Sequence, residues 1–404
     1  MKMILQSLQK TNQLFIGVLS GTSMNSIDAI LMDFSNNNHL IIATVNYPFN
    51  KNLAKQLLEM INSGKCSLQD LGTIDNKLGI EFAKAINKLL SKAMVQPEKV
   101  TAIGCHGQNI WHEPHGKYRF TMQIGNANII CASCNIVTVA DFRRKDMAYG
   151  GQGAPLAPAF HSAVFRSSLK TRAIINIGGI SNITVLSKIF AQEVIGFDLG
   201  PGNCLMDEWV QTKFKKLKIN YDKNGVIASS GQCIPNLLKI CLQDPYFKKL
   251  PPKSTGREYF NQKWLEKKIK LSSFRDAKTS ENKFKKYKTE DILATLLYLT
   301  AYIINNQIEI INKVLSNRSQ EIIEEVYICG GGANNKALLA LLKKIINCPV
   351  SVTQDLGIHA NWVEAALFAW LAKQTIEGKS SNLLSVTGAK SQAILGAIYL
   401  PDKI

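Results

Sequence analysis

The chain has 404 residues, 46% of them hydrophobic, and a formal net charge of +18 at pH 7. Its length predicts roughly two domains of about 150–200 residues each. No apolar run reaches the ~18 residues of a membrane span, and residues 1–13 lack the apolar core and the cleavage pattern of a signal peptide. Nine scattered cysteines indicate reduced thiols rather than a disulfide framework. Together these features predict a soluble, cytoplasmic protein without a membrane partner.

The basic residues do not form a nucleic-acid signature. Much of the excess of basic over acidic residues lies at 213–218 and 246–288. These segments have no regularly interleaved aromatic residues, no zinc-finger pattern and no helix-turn-helix pattern. A solvated basic face is therefore favoured over a nucleic-acid partner, and its positive field would gather anionic substrates. The pair Cys131 and Cys134 has no second pair, so two half-buried small residues are favoured over a zinc or redox site.

The chain opens with a strand, a hydroxyl-rich turn and a second strand, and this pattern restarts in the second half. The first half predicts strands and helices from its apolar spacing: strands at 14–20, 27–34, 39–49 and 100–110, and helices at 51–62 and 76–94. The second half predicts a hairpin at 171–187, a strand ending in FDLGPGN, helices at 289–311 and 363–378, and a strand at 324–329. The two hairpins indicate an internal duplication.

Three glycine turns follow buried strands, at 20–26, 178–182 and 330–332. Glycine lets the backbone approach a ligand closely, and successive N–H groups can cradle a phosphate. One such turn is ordinary at a strand end, but three favour a nucleotide site between two similar domains. The chain has no GxxxxGK[ST] motif, and GGGANN lacks the GxGxxG spacing, so the sequence excludes a P-loop enzyme and a Rossmann dehydrogenase.

Ten motifs in order resemble the 1,6-anhydro-N-acetylmuramic acid kinase family of the hexokinase and actin superfamily, over about residues 14–398. The motifs are SGTSM-x-x-ID (20–28), CHGQ (105–108), ADFRRKD (140–146), GGQGAPLAPAFH (150–161), NIGGISNIT (176–184), FDLGPGN (197–203), PPKSTGREYFN (251–261), CGGGANN (329–335), VEAALFAWLA (363–372) and VTGA (386–389). The resemblance implies an α/β fold of two hexokinase- and actin-like (ribonuclease H-like) domains, at 1–168 and 169–404, with a deep cleft. The last residues are expected to pack back on the first domain.

The resemblance also implies a reaction. ATP, with Mg²⁺, and water convert the 1,6-anhydro sugar to N-acetylmuramic acid 6-phosphate and ADP, in peptidoglycan recycling in the cytoplasm, and the family suggests a homodimer. Two alternatives stay open: a kinase for another amino sugar on the same fold, and a catalytically weak nucleotide-binding regulatory protein.

Asp198 follows the apolar run VIGF and precedes a glycine turn, so its carboxylate is expected to emerge at the site. The resemblance assigns it the role of the base that activates water. A purely structural alternative is an aspartate that accepts hydrogen bonds from the N–H groups of its own turn.

The resemblance places the ATP site in three turns. The ATP-binding residues that it implies are Gly21, Thr22, Ser23, Met24, Asn25, Ser26, Ile27, Asp28, Gly178, Gly179, Ser181, Gly330, Gly331 and Gly332.

The first of these turns departs from the family pattern. Asn25 and Ser26 stand where the family has Asp-Gly, which removes a negative charge and predicts strain if Ser26 requires a positive φ. Asp28 is expected to take the metal role.

Four side chains are expected to contact the sugar. Arg143 is a candidate for the lactyl carboxylate, with Arg144 as its alternative, because a guanidinium can bind a carboxylate through two hydrogen bonds. Asn109 replaces a threonine of the family, and His106 supports the same pocket or simply ends a strand. Glu364 lies in an apolar helix, so it is expected near the sugar or in a buried ion pair.

Overall fold

A computed structural model describes residues 13–21, 24–35, 39–191, 193–251, 253–277 and 287–402. The chain forms two compact units, the first from residues up to Val164 together with those from Trp362 onward, and the second from Phe165 to Asn361. The N-terminal stretch 1–12, on which the signal-peptide expectation depends, lies outside the described residues, as do Thr22 and Ser23. Among the described residues, no helix has both the length and the apolar character that crossing a bilayer requires.

The first unit contains a six-stranded sheet and a separate two-stranded sheet. The strands are β1 (Leu14–Ser20), β2 (Ser26–Asp33), β3 (Leu40–Pro48), β4 (Val100–Cys105), β5 (Gln108–Glu113), β6 (Phe120–Ile124), β7 (Thr138–Ala140) and β13 (Ala397–Tyr399). The larger sheet has the order β13-β7-β4-β1-β2-β3, and β5 pairs with β6. The helices are α1 (Lys51–Ser63), α2 (Leu68–Ala93), α3 (Ala127–Cys134), α4 (Arg144–Ala148), α5 (Ala157–Phe165, which reaches the unit boundary), α12 (Val363–Ile376) and α13 (Leu384–Thr387).

The second unit contains a five-stranded sheet of order β10-β9-β8-β11-β12. Its strands are β8 (Arg172–Ile177), β9 (Ile180–Leu186), β10 (Ile195–Pro201), β11 (Glu325–Cys329) and β12 (Val350–Val352). Its helices are α6 (Cys204–Lys213), α7 (Val226–Ser230), α8 (Pro235–Leu242), α9 (Gln262–Ala277), α10 (Thr289–Ser319) and α11 (Lys336–Ile345). The predicted α/β class is confirmed.

The two larger sheets repeat one topology, which explains the duplicated hairpins of the sequence. In each unit three successive strands pair antiparallel, a later strand pairs in parallel with the first of them, and a further strand pairs in parallel with that later strand. The carboxyl ends of the parallel strands share one edge of the sheet. In the first unit this edge carries Gly21, His106 and Asp141, and in the second it carries Gly178 and Gly330.

The chain returns to the first unit at Trp362, whereas the sequence predicted a second domain over 169–404. Helix α12 accounts for this return, because it packs closely on the sheet of the first unit. A Cβ atom on Gly17 of β1 would lie 1.9 Å from the carbonyl oxygen of Ala365, and one on Gly104 of β4 would lie 1.9 Å from that of Phe368. Bare glycines on neighbouring strands therefore let the helix backbone rest on the sheet, and its apolar side chains are buried there.

Candidate active site

Asp198 lies near the end of β10, and its hydrogen-bond partners are residues outside its own turn. Its carboxylate Oδ2 accepts a hydrogen bond from the Thr255 backbone N–H (3.1 Å), and its own N–H donates to the Lys253 carbonyl (3.2 Å). The Tyr246 hydroxyl donates to the Asp198 carbonyl (2.8 Å). Among the described residues the carboxylate accepts no bond from the following turn, so the structural alternative for this aspartate finds no support.

The environment of Asp198 suits a base. Burial, with a smaller contribution from the negative charge of Glu258, raises the pKa of its carboxyl to about 6, although the hydrogen bond from the Thr255 N–H acts against the rise. A carboxylate whose pKa lies just below neutral is ionised at pH 7 yet accepts a proton more readily than an ordinary aspartate.

This raised pKa predicts the pH dependence of catalysis. Because a base acts when it is deprotonated, kcat/KM is expected to be about tenfold lower at pH 5 than at pH 7. The acid limb should move to lower pH in Glu258→Gln, since the neighbouring negative charge is removed. A pH–rate profile measures both effects. A limb centred near pH 4 in the unaltered protein, or one that Glu258→Gln leaves in place, would contradict the assignment.

The Gly178–Gly179 turn, between β8 and β9, is fixed by the residues that follow β10. The N–H groups of Gly202 and Cys204 donate to the Gly179 carbonyl (2.9 and 3.1 Å), and the Asn203 N–H donates to the Gly178 carbonyl (2.8 Å). Both carbonyls therefore have partners within the protein. The predicted phosphate turn is preorganised by its neighbour in the sheet.

The Gly330–Gly332 turn at the end of β11 lies against the end of β8. Gly330 has φ +77°, and a Cβ on it would lie 2.2 Å from the Asn176 side-chain oxygen. A Cβ on Gly332 would lie 2.3 Å from a methyl group of Ile177. The two glycine turns predicted from this half of the sequence thus meet at one edge of the sheet.

The Ser181 hydroxyl is engaged within the protein. The side chain is fully buried, and the hydroxyl donates to the Gly200 carbonyl (3.1 Å). This hydrogen bond joins β9 to β10 next to the point where the pairing of the two strands shifts register, between Asp198 and Gly200. A hydroxyl engaged in this way leaves the backbone N–H groups of the turn as the donors for a phosphate.

Arg257 is a feature of this edge that the sequence analysis passed over. Its guanidinium lies so close to the glycine turn that a Cβ on Gly179 would be 3.0 Å from both Nε and Nη2. It interacts electrostatically with Asp207, whose carboxyl has a pKa raised by burial to about 7 despite that positive charge. The available signal was the PPKSTGREYFN motif, which carries an arginine among glycine and hydroxyl residues.

In the first unit, the turn from Gly21 to Asp28 shows a different strain from the one predicted. Met24 takes the left-handed conformation, at φ +50°, and its N–H donates to the Gly21 carbonyl (3.0 Å). Ser26 is the first residue of β2, where extended backbone suits any side chain. The expectation of positive-φ strain at Ser26 is therefore wrong, because the turn closes two residues earlier.

Asp28 lies on β2 beside two polar neighbours. Asn46 donates to its Oδ1 (2.6 Å), and the Ser26 hydroxyl donates to the same atom (3.3 Å). Burial raises the pKa of this carboxyl, although both hydrogen bonds act against the rise. Oδ2 accepts no hydrogen bond from a described residue and is available to a ligand. Within the described ranges, no group of three or more histidine, cysteine or acidic side chains could hold a metal ion.

His106 and Arg143 contact each other at the carboxyl edge of the first sheet. Arg143 donates from Nε to His106 Nε2 (3.1 Å) and from Nη1 to the Gly153 carbonyl (2.9 Å). The imidazole packs on Phe368, with ring centroids 4.6 Å apart, and burial holds its pKa well below the usual range. His106 is therefore neutral at pH 7, and its buried Nδ1 has no hydrogen-bond partner in the described part of the chain.

A pocket of about 520 Å³ lies beside this pair, within the first unit. Arg144 lines it and pairs with Asp141 (2.8 Å), a residue in the left-handed conformation at φ +61°. Arg143 does not line the pocket. The lining is mostly polar or small and includes Asp75, Cys105, His106, Gly107, Gln123, Gly125, Asn126, Asn128, Asp141 and Arg144.

Asn109 and Glu364 are placed differently from the other predicted sugar contacts. Asn109 is half-buried on β5 and accepts a hydrogen bond from Gln123 (2.6 Å), and Gln123 does line the pocket. Glu364 is exposed in the first turn of α12. The expectation of a buried ion pair at Glu364 is therefore wrong, because its side chain is exposed although its neighbours Val363 and Ala365 are buried. Its negative charge still acts on Arg143.

Comparison with known proteins identifies the family. A model of the anhydro-N-acetylmuramic acid kinase family matches residues 13–401. The anhydro-N-acetylmuramic acid kinase of Pasteurella multocida is 44% identical over 397 residues, covering 98% of this chain and 99% of that protein. The enzyme of the same name from Coxiella burnetii is 45% identical over 390 residues, covering 96% and 98%.

The chain belongs to the anhydro-N-acetylmuramic acid kinase family. The predicted family and the predicted class of enzyme, an ATP-dependent sugar kinase, are thereby confirmed. Among solved structures, the activator of 2-hydroxyisocaproyl-CoA dehydratase from Clostridium difficile with bound ADPNP matches at a TM-score of 0.42 and 12% identity, covering 90% of this chain and 96% of that one.

Within this kinase-family chain, the predicted residues fall into two groups. One group lies in the second unit and consists of Asp198 with the two glycine turns, and the other lies in the first unit around His106 and Arg143. In the second group Arg143 donates a hydrogen bond to His106, and in the first the two glycine turns lie against each other at the end of β8.

Proposed function

We propose that the protein uses ATP and water to convert 1,6-anhydro-N-acetylmuramic acid to N-acetylmuramic acid 6-phosphate and ADP. The observation that carries this proposal is the Asp198 carboxylate, which is partly buried, has a raised pKa and lies on β10, the strand whose following residues hold the Gly178–Gly179 turn. Relatives named for this activity match nearly the whole chain, which supports the same substrate.

The reaction needs one base and balances with one water. Asp198 takes a proton from the water as its oxygen bonds to the anomeric carbon, and the bond from that carbon to O6 breaks. O6 then attacks the γ-phosphorus of ATP, and the bond from phosphorus to the ADP oxygen breaks. The carboxylate suits this role because its hydrogen bond to the Thr255 N–H fixes Oδ2 and leaves Oδ1 without a described partner.

The residues present fit a nucleotide. Gly178, Gly179 and Gly330 to Gly332 offer backbone to a ligand, and a side chain at Gly179, Gly330 or Gly332 would crowd neighbouring atoms. For the first unit, the family motif SGTSM-x-x-ID supports the Gly21–Asp28 turn as an ATP-binding segment. Magnesium, when bound with the nucleotide, would neutralise phosphate charge, and Mg²⁺ commonly takes one or two carboxylates together with phosphates and waters. Asp28 Oδ2 fits that requirement.

The Asn25 departure predicts a weakened magnesium response. Asn25 is exposed at the turn, so Asn25→Asp adds a solvated carboxylate there. We expect it to lower the Mg²⁺ concentration for half-maximal ATP binding by on the order of two- to fivefold. Asn52→Asp is the matched control, since it adds a carboxylate at an exposed position of α1 and should leave the Mg²⁺ requirement unchanged. Calorimetric ATP titrations at graded Mg²⁺ measure both. An unchanged or higher requirement in Asn25→Asp would refute the idea.

The sugar would be bound by residues of the first unit. A neutral His106 can exchange hydrogen bonds with hydroxyl groups, and Asn109 and Gln123 offer amides at the same end of the sheet. Arg143 and Arg144 both remain candidates for the lactyl carboxylate, one beside His106 and the other in the pocket. Glu364, which is exposed, is the proposed acidic contact.

One assay separates this function from its two alternatives. ADP release from ATP is followed without sugar, with the anhydro sugar and with other amino sugars. Stimulation by the anhydro sugar alone supports the proposal. Stimulation by a different sugar alone indicates a kinase for that sugar, and no stimulation indicates a nucleotide-binding regulatory protein. The proposal further places the protein in the cytoplasm, in peptidoglycan recycling, as a homodimer.

A further inference from the structure

A short segment of the second unit, Lys253 to Arg257, joins the proposed base to the proposed phosphate turn. At one end, the Lys253 carbonyl accepts from the Asp198 N–H (3.2 Å), and the Thr255 N–H donates to the Asp198 carboxylate (3.1 Å). Two residues later, Arg257 lies over Gly179. The segment is therefore fastened to β10 at the position that also fixes the base.

The contact between Arg257 and Gly179 depends on the absence of a side chain. A Cβ on Gly179 would lie 3.0 Å from Nε and from Nη2, which is tighter than a comfortable contact. The turn itself cannot move away easily, because its carbonyls accept hydrogen bonds from Gly202, Asn203 and Cys204. The guanidinium thus lies on a fixed piece of backbone.

The donors of Arg257 are not used within the described part of the chain. Its side chain is exposed, and no ion pair or hydrogen bond joins it to a described residue. Asp207 and Glu208 interact with it electrostatically, but neither lies within ion-pair distance. A guanidinium is always charged and presents five N–H donors in a fork that matches phosphate oxygens. A guanidinium with unused donors beside a glycine turn of the phosphate-binding type indicates an anionic ligand.

We propose that Arg257 binds the β- and γ-phosphates of the nucleotide at the Gly178–Gly179 turn, and that the Lys253–Arg257 segment couples this contact to Asp198. The inference rests on the proposed function for its nucleotide, and it names a phosphate-binding residue beyond it. Arginine suits the position better than lysine because two parallel hydrogen bonds fix a phosphate in orientation as well as in place.

The test is the affinity for three nucleotides that differ in phosphate number. ATP, ADP and AMP are titrated by calorimetry into the unaltered protein, Arg257→Gln, Arg257→Lys and Arg318→Gln. Arg318 is an exposed arginine at the end of α10 and serves as the matched control. We expect Arg257→Gln to weaken ATP binding about 10- to 100-fold and AMP binding less than twofold. Arg257→Lys should lie between, and Arg318→Gln should match the unaltered protein.

The outcomes separate this proposal from the proposed function. Equal losses for ATP and AMP, or an Arg257→Gln protein that binds ATP like the control, would overturn the role of Arg257. The titrations need no sugar, so they decide the role of Arg257 whatever the sugar reaction is. If the protein binds ATP but shows no sugar-dependent ADP release, the sugar kinase reaction is refuted and the Arg257 result still stands. A thermal midpoint equal to that of Arg318→Gln shows that Arg257→Gln is folded. If it is not folded, Arg257→Lys decides the question by the same comparison.

Discussion

Asp198→Asn is expected to lower kcat by about 100-fold or more while the protein stays folded. Asparagine keeps the size of the side chain and can still accept the hydrogen bond from Thr255, but it cannot take a proton from water. The effect should fall on kcat rather than on ATP affinity, because the carboxylate acts on the attacking water.

The raised pKa of Asp198 also predicts the direction in which Asp198→Asn changes the stability of the folded protein. The folded pKa of Asp198 is raised, to about 6, so the folded state binds the proton more tightly than the unfolded state does. The ionised carboxylate therefore costs stability, and this cost grows as the pH rises from the ordinary value of 3.8 to about 6 and is complete above it. At pH 7.5 the thermal midpoint of Asp198→Asn should equal or exceed that of the unaltered protein.

Steady-state kinetics and calorimetry measure both expectations. Asp355→Asn, an exposed aspartate of the same unit, is the control and should change neither quantity. If Asp198→Asn retains more than a tenth of the kcat, Asp198 is not the base. A lower thermal midpoint would show that the buried charge is compensated in the folded state.

Asp146→Ala is expected to destabilise the first unit by about 3 kcal/mol or more. Asp146 is fully buried, and its carboxylate accepts hydrogen bonds from Gly153 N–H, Asn382 and Thr387 (2.8 Å each). Truncation leaves three buried donors without their acceptor. It also loosens the 150–153 loop, whose Gly153 carbonyl binds Arg143.

For a unit of this size, the loss corresponds to a fall of roughly 6–12 °C in the thermal midpoint. Asp146→Asn should fall less, because its remaining oxygen can still accept. Glu98→Ala, an exposed acidic residue of the same unit, is the control. A fall of under about 2 °C in Asp146→Ala would mean that these hydrogen bonds contribute little.

The strands were predictable because each carries a local apolar pattern. The hairpin of β1 and β2, and that of β8 and β9, appear within one residue or two of the predicted bounds. The partner of α12 was not predictable in this way. Its apolar sequence indicated burial, but the glycines that receive it, Gly17 and Gly104, lie more than 250 residues earlier in the chain.

The site was predictable where a motif fixes the backbone conformation. It was less predictable where the contacts of a side chain depend on neighbours that the local sequence does not show. Asp198 lies on the strand that the sequence predicted, three residues before the strand ends. Ser26 escapes strain because Met24 closes the turn, and the Ser181 hydroxyl donates to the Gly200 carbonyl, which no local pattern shows. Arg257 was missed because its closeness to Gly179 depends on a contact between segments 78 residues apart in the sequence, which no local pattern shows.

The central claim, that water opens the sugar ring while O6 takes the phosphoryl group, is tested most directly with ¹⁸O-labelled water. The protein is incubated with ATP, Mg²⁺ and the anhydro sugar in labelled water, and the sugar phosphate is analysed by mass spectrometry both intact and after its phosphate has been removed in unlabelled water. Attack of water at the anomeric carbon predicts one label on the sugar at O1 and none in the phosphate. Label in the phosphate would mean phosphoryl transfer to water, and would contradict the account.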